Sequence, residues 1–316
     1  MTEPTAPAQI HLSKYRKFDT AATLASVAAL ICWSVGPILI KYLTGHLDFW
    51  TQNALRYSVA CLFWLFFLLI PARRGRFDLC TWRRAVLPAL PNVLMQSTWA
   101  AAFYYIDPAF LVLLSNTSIL WIAAFSLIFF AEERPLIKSR RFWSAMILSM
   151  AGLVGVVYFK EDFSARGTVI GIILALTGGF AWGVYTICAK VAFRDIDVRE
   201  GFAVMSLYTT IVLWIFTMVF GRPVGALEIG YQPWLAVIIS AIMGISLAHV
   251  LYYWAIKRIG ATIPMLVVLA QPFLVFLVSR VIFGESLNIL QMICGLVLLS
   301  GAAIAVWAQE HLKTSD

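Results

Sequence analysis

Charged residues are scarce in this chain. Only 13% of its 316 residues are Asp, Glu, Lys or Arg, whereas 61% are hydrophobic, and the mean hydropathy is +0.85. A water-soluble domain of this length needs a polar exterior, and the sequence has too few polar residues to build one. The composition therefore excludes a soluble protein and indicates that most of the outer surface faces lipid.

The sequence also lacks the residue patterns of a disulfide framework, a metal site or an enzyme. Its five cysteines form no CxxC pair, and of its four histidines only His249 falls inside an apolar run. No HExxH pair, nucleophile motif or Walker loop occurs. We therefore expect no catalytic residue, no metal and no cofactor, and we do not expect an enzyme.

Apolar runs of about 20 residues, the length that crosses a bilayer, occur ten times. The first five cover residues 20–43, 50–71, 84–106, 108–131 and 141–159, and the second five cover residues 167–192, 199–220, 233–257, 261–283 and 287–308. The predicted fold is an all-α membrane protein with about ten transmembrane helices. Residues 1–19 and 309–316 are expected to be polar tails.

Lysine and arginine are distributed unevenly between the loops. If the N-terminus is cytoplasmic, 18 basic residues fall on the cytoplasmic side and only four on the outer side. This bias follows the positive-inside rule and predicts that both termini are cytoplasmic. It also accounts for the net charge of +8. We therefore expect the lipid bilayer as a partner and no nucleic acid.

The two halves of the chain resemble each other. Trp33 aligns with Trp182 and Lys41 with Lys190 at an offset of 149 residues, and Glu132 aligns with Glu285 at an offset of 153. Because each half contains five spans, an odd number, the second copy must run through the membrane upside down. The sequence thus predicts two inverted five-helix repeats, residues 20–159 and 167–308, an arrangement typical of transporters.

Three motifs carry a resemblance to a known family. The first helix combines Trp33 with Lys41, the second contains Leu55-Arg56-Tyr57, and the ninth contains the run 269–272 (LAQP) followed by Gly284-Glu285. Together they resemble the EamA type of the drug/metabolite transporter superfamily over residues 20–308. The resemblance implies a central cavity lined mainly by helices 1, 3, 4, 6, 8 and 9. It further implies alternating-access transport of a small molecule, an amino acid or a related metabolite, in the direction of export.

Polar side chains within the spans are the candidate binding residues, because lipid tolerates them only where they face protein or water. On the third span, Asn92, Gln96, Trp99 and Phe103 share one helical face. This stripe predicts a cavity wall, although hydrogen bonding between helices explains it almost as well. The full set of candidates is Trp33, Asn92, Gln96, Trp99, Asn116, Trp182, His249, Tyr253 and Gln271 for the substrate, with Arg56 as a possible anion contact.

The coupling mechanism stays open because no acidic residue lies deep in any span. Carriers that are strongly coupled to protons or sodium commonly bury a carboxylate in the membrane. His249 is the one candidate proton relay, since a histidine titrates near neutral pH. Facilitated transport or exchange is at least as well supported. A channel-like facilitator and a receptor or assembly protein also remain alternatives, and the oligomeric state is open, a monomer included.

Overall fold

The computed structural model of the chain describes residues 19–73, 79–130, 138–160, 166–259, 264 and 267–315. All regular secondary structure in these residues is helical. Nearly all of the predicted N-terminal tail lies outside them, and so does Glu132. The predicted C-terminal tail continues the last helix as far as Ser315.

Five spans form the first half of the chain. Their helices are α1 (Thr20–Leu43), α2 (Phe49–Arg73), α3 (Leu79–Ala102), α4 (Pro108–Ser115) with α5 (Ser118–Phe129), and α6 (Arg140–Tyr158). The fourth span consists of two helices because the chain makes tight turns at Asn116 and Thr117, where backbone N–H groups bond carbonyls three residues back.

The second half repeats this order. It contains α7 (Arg166–Ala192), α8 (Val198–Phe220), the short α9 (Gly225–Glu228), α10 (Tyr231–Ser240), a π-helical turn (Ala241–Leu247), α11 (Ala248–Ile259), α12 (Gln271–Phe283) and α13 (Ile289–Ser315). The third span of this half is α10, the π-helical turn and α11 in one continuous rod.

Six of these spans are long and apolar enough to cross a membrane by themselves, and residues 271–283 and 289–305 form shorter apolar helices. The remaining two, α2 and α3, have the length of a span, with 25 and 24 residues. Many large apolar side chains of these helices point outward, for example Leu62, Ile147 and Val281, which are 71%, 67% and 85% exposed. The prediction of an all-α, multi-pass membrane protein is confirmed.

The helix contacts of the two halves are related by a pseudo-two-fold axis. The helix pairs α3 with α7 and α1 with α11 are exchanged when each span is replaced by its counterpart in the other half. The pairs α2 with α8, α4 with α12 and α6 with α13 are each converted into themselves. With five spans in each half, this symmetry requires that the two repeats run in opposite directions.

Glu285 joins the two halves at the start of α4. Its carboxylate oxygens accept hydrogen bonds from the backbone N–H groups of Ala109 and Phe110, both at 3.0 Å. A helix N-terminus has unpaired N–H groups and a partial positive charge, so a buried carboxylate stabilises it. The preceding Gly284 has φ +70°, the left-handed conformation that ends α12. Glu285 therefore acts as a cap of α4.

Glycines bring α7 close to its neighbours. A methyl group at Gly171 would lie 2.5 Å from Ile106, one at Gly179 would lie 2.9 Å from Thr117, and one at Gly183 would lie 2.6 Å from Trp121. These distances leave no room for a side chain, so α7 can pack this closely only with glycine at these positions. Gly167 is the exception, since its nearest neighbour is 4.0 Å away.

Candidate functional site

A cavity of about 240 Å³ lies between the two repeats. Its walls come from α1, α2, α3, α4, α5, α7, the π-helical turn, α11 and residues 268–271. These elements belong to the first, second, third, fourth, sixth, eighth and ninth spans. All six spans that the family resemblance implied are therefore present, and α2 adds Arg56.

Eight of the ten candidate residues line this cavity. They are Trp33, Arg56, Gln96, Trp99, Asn116, Trp182, His249 and Gln271. They come from seven different spans, so the fold gathers side chains that are up to 238 positions apart, as in the hydrogen bond between Gln271 and Trp33.

Asn92 was expected on the cavity wall, and this expectation is wrong. The side chain is 2% exposed and lies between helices, where its Nδ2 donates hydrogen bonds to Thr209 Oγ1 at 3.0 Å and to Tyr57 Oη at 3.1 Å. Asn92 is one turn before Gln96, where α3 packs against α2 and α8. The alternative of hydrogen bonding between helices is the correct one here. Phe103, at the other end of the same stripe, is fully buried in the core.

Tyr253 is the second candidate that does not line the cavity. Its ring packs into the core between α2, α7 and α8, with its centroid 5.2 Å from that of Phe202. The neighbouring Tyr252 lines the cavity instead and lies 5.0 Å from Trp33. Adjacent residues point about 100° apart on an α-helix, and here Tyr252 points into the cavity while Tyr253 points into the core.

Trp33 is held in place by two irregular parts of the backbone. Its Nε1 donates a hydrogen bond to the carbonyl of Gly244 in the π-helical turn at 3.0 Å. Its own carbonyl is free to accept because Pro37, four residues later, has no N–H group. Gln271 Nε2 donates to that carbonyl at 2.9 Å. Gln271 therefore connects α12 to α1 at the carbonyl that Pro37 leaves without a partner inside the helix.

In the second repeat, the carbonyl of the equivalent tryptophan has a different hydrogen-bond partner. Thr186 occupies the position that corresponds to Pro37, and its hydroxyl donates to the carbonyl of Trp182 at 2.8 Å. No proline interrupts α7 here, so α1 has a possible hinge that α7 lacks.

The break between α4 and α5 shapes another wall of the cavity. Trp99 Nε1 donates to Ser115 Oγ at 3.1 Å, at the last residue of α4. Asn116 follows, and its side chain donates to the carbonyl of Val112 at 2.8 Å. Interrupted helices with polar groups at their midpoints are the usual binding elements of transporters with inverted repeats.

His249 lies among aromatic rings at the wall of the cavity. Its ring centroid is 5.3 Å from that of Trp33, edge to face, and 5.4 Å from that of Phe202. Its Nδ1 atom is buried and has no hydrogen-bond partner among the described residues. The ring is therefore held at the cavity wall by packing.

The cavity shows the same pseudo-two-fold symmetry as the fold. At the offset of 153 residues, Gln96 corresponds to His249, Trp99 to Tyr252, and Ser118 to Gln271, and every one of these residues lines the cavity. Sequence reasoning missed Ser118 and Tyr252. The offset between the repeats was the signal that would have identified both, because the symmetry partners were already candidates.

Arg56 is the charged residue of the described cavity wall. It is 2% exposed, and its Nε donates to Ser240 Oγ at 3.1 Å while its Nη1 donates to Asn53 Oδ1 at 3.3 Å. No carboxylate of the described residues lies within ion-pair distance of it. The guanidinium is thus positioned by two neutral, fully buried side chains from α2 and α10.

Comparisons with known proteins agree with this architecture. The model of the EamA-like transporter family matches residues 20–158 and 169–307. An uncharacterized transporter of Archaeoglobus fulgidus is 24% identical over 290 residues, which cover 89% of this chain and 96% of the relative. One of Synechocystis sp. is 26% identical over 176 residues, or 55% of this chain and 51% of the relative. One of Clostridium kluyveri is 25% identical over 178 residues, or 54% and 55%.

The matched segment thus spans only about half the length of the Synechocystis and Clostridium relatives. A solved crystal structure shares the fold with a TM-score of 0.61 at 21% identity, and the match covers 93% of this chain and 99% of that one.

Proposed function

Because the chain belongs to the EamA-like transporter family, we propose that it is a carrier that moves a small metabolite by alternating access. The single observation that supports this best is the cavity of about 240 Å³ between the two repeats, lined by residues of seven spans. A site shared by both repeats can be opened to either side when one repeat moves against the other.

The candidate substrate is an amino acid or a related compound, and the proposed direction is export. We propose that the protein resides in a bacterial inner membrane with both termini in the cytoplasm, since 18 basic residues then lie on the cytoplasmic side and four on the outer side. The ends of α1, α3 and α5–α6 that carry Asp19, Leu79 and Ser139 would face the cytoplasm.

The proposed site consists of the polar and aromatic residues on the cavity wall. Trp33, Trp99 and Trp182 provide apolar surface for stacking, and Gln96, Asn116 and Gln271 provide amide groups. His249 remains the proposed proton relay if transport is coupled to protons. The described spans contain no buried carboxylate except Glu285, which lies between α12 and α13 and caps α4, so exchange without protons is equally consistent with the cavity.

Exchange in proteoliposomes tests whether the protein is a carrier. Vesicles are loaded with an unlabelled solute, and the uptake of the same labelled solute is followed for amino acids, amines, monocarboxylates and sugar phosphates. A carrier is expected to show saturable uptake that is accelerated by the internal solute. Uptake that rises linearly with concentration and ignores the internal solute would indicate a channel-like facilitator. No uptake of any class would favour a receptor or assembly protein.

A further inference from the structure

Building on the proposed carrier function, we propose that the substrate is an organic monoanion, a relative of an amino acid that lacks the ammonium group, whose carboxylate binds Arg56 while its apolar body packs against the tryptophans of the cavity. Such a solute matches the charge, size and shape of the described wall. The proposal concerns the class of substrate and follows from the contacts of Arg56.

The first argument is the unused hydrogen-bonding capacity of Arg56. A guanidinium has five N–H groups, and the two hydrogen bonds to Ser240 and Asn53 use two of them. Both partners are neutral. A buried cation without a counter-ion is costly in a membrane protein, so such a group is generally retained where an anion or water reaches it. A carboxylate accepts two parallel hydrogen bonds from a guanidinium, which makes it a suitable ligand.

The second argument is the way in which Arg56 is positioned. Asn53 accepts from Arg56 through its Oδ1, and its Nδ2 donates to the backbone carbonyl of Gln96 at 2.8 Å. Ser240, immediately before the π-helical turn, holds the Nε atom. Arg56 is therefore fixed from α2, α3 and α10 together, so the guanidinium is held ready for a ligand and loses little side-chain entropy when one binds.

The third argument is the balance of charge. Arg56 is the only positively charged side chain on the described wall, and the described wall contains no acidic side chain. A monoanion neutralises the site, whereas a phosphate ester would leave a buried negative charge and a cation would repel the guanidinium. The charge of the wall thus selects monocarboxylates over phosphates and amines.

The fourth argument is size. A dry apolar cavity of about 150 Å³ accommodates benzene, so a cavity of about 240 Å³ has room for roughly ten non-hydrogen atoms. Trp33, Trp99 and Trp182 supply most of the large aromatic surface on the wall. A compact carboxylate with a planar or branched apolar body fits these limits.

Three compounds of one shape and different charge test the proposal. Benzoate is an anion, benzamide is neutral and benzamidine is a cation at neutral pH. Binding of radiolabelled benzoate to the purified protein is measured by equilibrium dialysis, with the other two compounds as competitors. We expect benzoate to bind at least about tenfold more tightly than benzamide, and benzamidine not to compete. Equal or tighter binding of benzamidine, or no binding of any of the three at millimolar concentration, would overturn the proposal.

Variants of Arg56 show whether this residue carries the preference. Arg56→Gln is expected to weaken benzoate binding by roughly 10- to 150-fold, as expected for the loss of a hydrogen bond to a charged group, and to leave benzamide unaffected. Arg56→Lys retains the charge without the bidentate geometry, and it is expected to fall between the two. If Arg56→Gln does not fold, the proposal is tested by Arg56→Lys and by the binding of the three compounds to the unsubstituted protein. Unchanged benzoate binding in either variant would overturn the proposal.

A variant that fills the cavity shows whether the Arg56 proposal fails alone or together with the proposed carrier function. Gly36→Leu places a bulky apolar side chain in the cavity and leaves Arg56, Asn53 and Ser240 unsubstituted. If this variant loses benzoate binding while Arg56→Gln keeps it, the cavity is a binding site and the assignment of Arg56 is wrong. If both variants keep it, benzoate binds elsewhere, and the cavity itself is not the site of the proposed carrier.

Discussion

Gly36→Leu is expected to stop transport while the protein still folds. Gly36 lies on the cavity wall, and a methyl group added there meets no atom within 4 Å, so a leucine would extend into open space. It would occupy much of a cavity of about 240 Å³. Uptake of the exchanged solute should fall to the level of empty liposomes.

Gly36→Ala is the matched control for this variant. Gly36 precedes Pro37, and any side chain before a proline disfavours the helical conformation to some extent. Alanine carries this cost but adds only one methyl group to the cavity. We expect Gly36→Ala to keep most of the transport activity. Loss of activity in both variants would show that the backbone of α1 beside Pro37, and not the cavity volume, is what the substitutions disturb. Full activity in Gly36→Leu would exclude the cavity as the pathway.

Gly152→Ala is expected to destabilise the protein strongly. A methyl group at Gly152 would lie 2.4 Å from the backbone nitrogen of Leu298 and 2.7 Å from the carbonyl oxygen of Cys294, so α6 and α13 would have to separate. Backbone atoms cannot move aside as a flexible side chain can. Overpacking in a core costs about 1–3 kcal/mol, and we expect a loss near the upper end of this range or beyond it.

Thermal unfolding in detergent measures this effect, with Gly36→Ala as the control. Both glycines lie inside helices, so each substitution gains about 1 kcal/mol of helix propensity, and at Gly36 the following Pro37 offsets part of that gain. Gly36→Ala is therefore the less favoured of the two on backbone grounds alone, which makes it a strict reference. The variants differ in the space around the new methyl group. A melting temperature of Gly152→Ala at or above that of Gly36→Ala would show that α6 and α13 are not packed as described.

The sequence was sufficient to predict the fold because the membrane restricts it strongly. Apolar runs of about 20 residues identify the spans, and the odd number of spans in each half determines that the repeats are inverted. The tight contact of α6 with α13 was not foreseen. Gly152 lies against Cys294 and Leu298, and Gly301 lies against Ser149, and only the fold brings these residues of α6 and α13 together.

The site could be predicted in part, and the errors have a common cause. Polarity identifies residues that avoid lipid, but it does not distinguish a cavity from a contact between helices. Asn92 is polar and satisfied by Tyr57 and Thr209, whereas Gln96, one turn later, lines the cavity. The partner of the unpaired carbonyl in α1 was harder to predict. The sequence shows that Pro37 leaves the carbonyl of Trp33 without its helical hydrogen bond. Only the fold shows that Gln271, from the ninth span, donates to it.

Labelling of one cysteine in the cavity tests alternating access most directly. Asn116 lies at the break between α4 and α5, and Asn116→Cys places a thiol on the wall after the five native cysteines have been replaced by alanine. The protein that retains only Cys80, exposed near the start of α3, is the control and should react from one side.

A membrane-impermeant thiol reagent is then applied to right-side-out and to inverted vesicles. We expect the thiol at position 116 to react from both sides, and the exchanged solute to slow the reaction on each side. A thiol that reacts from one side alone, or that the solute leaves unprotected, would rule out alternating access at this cavity.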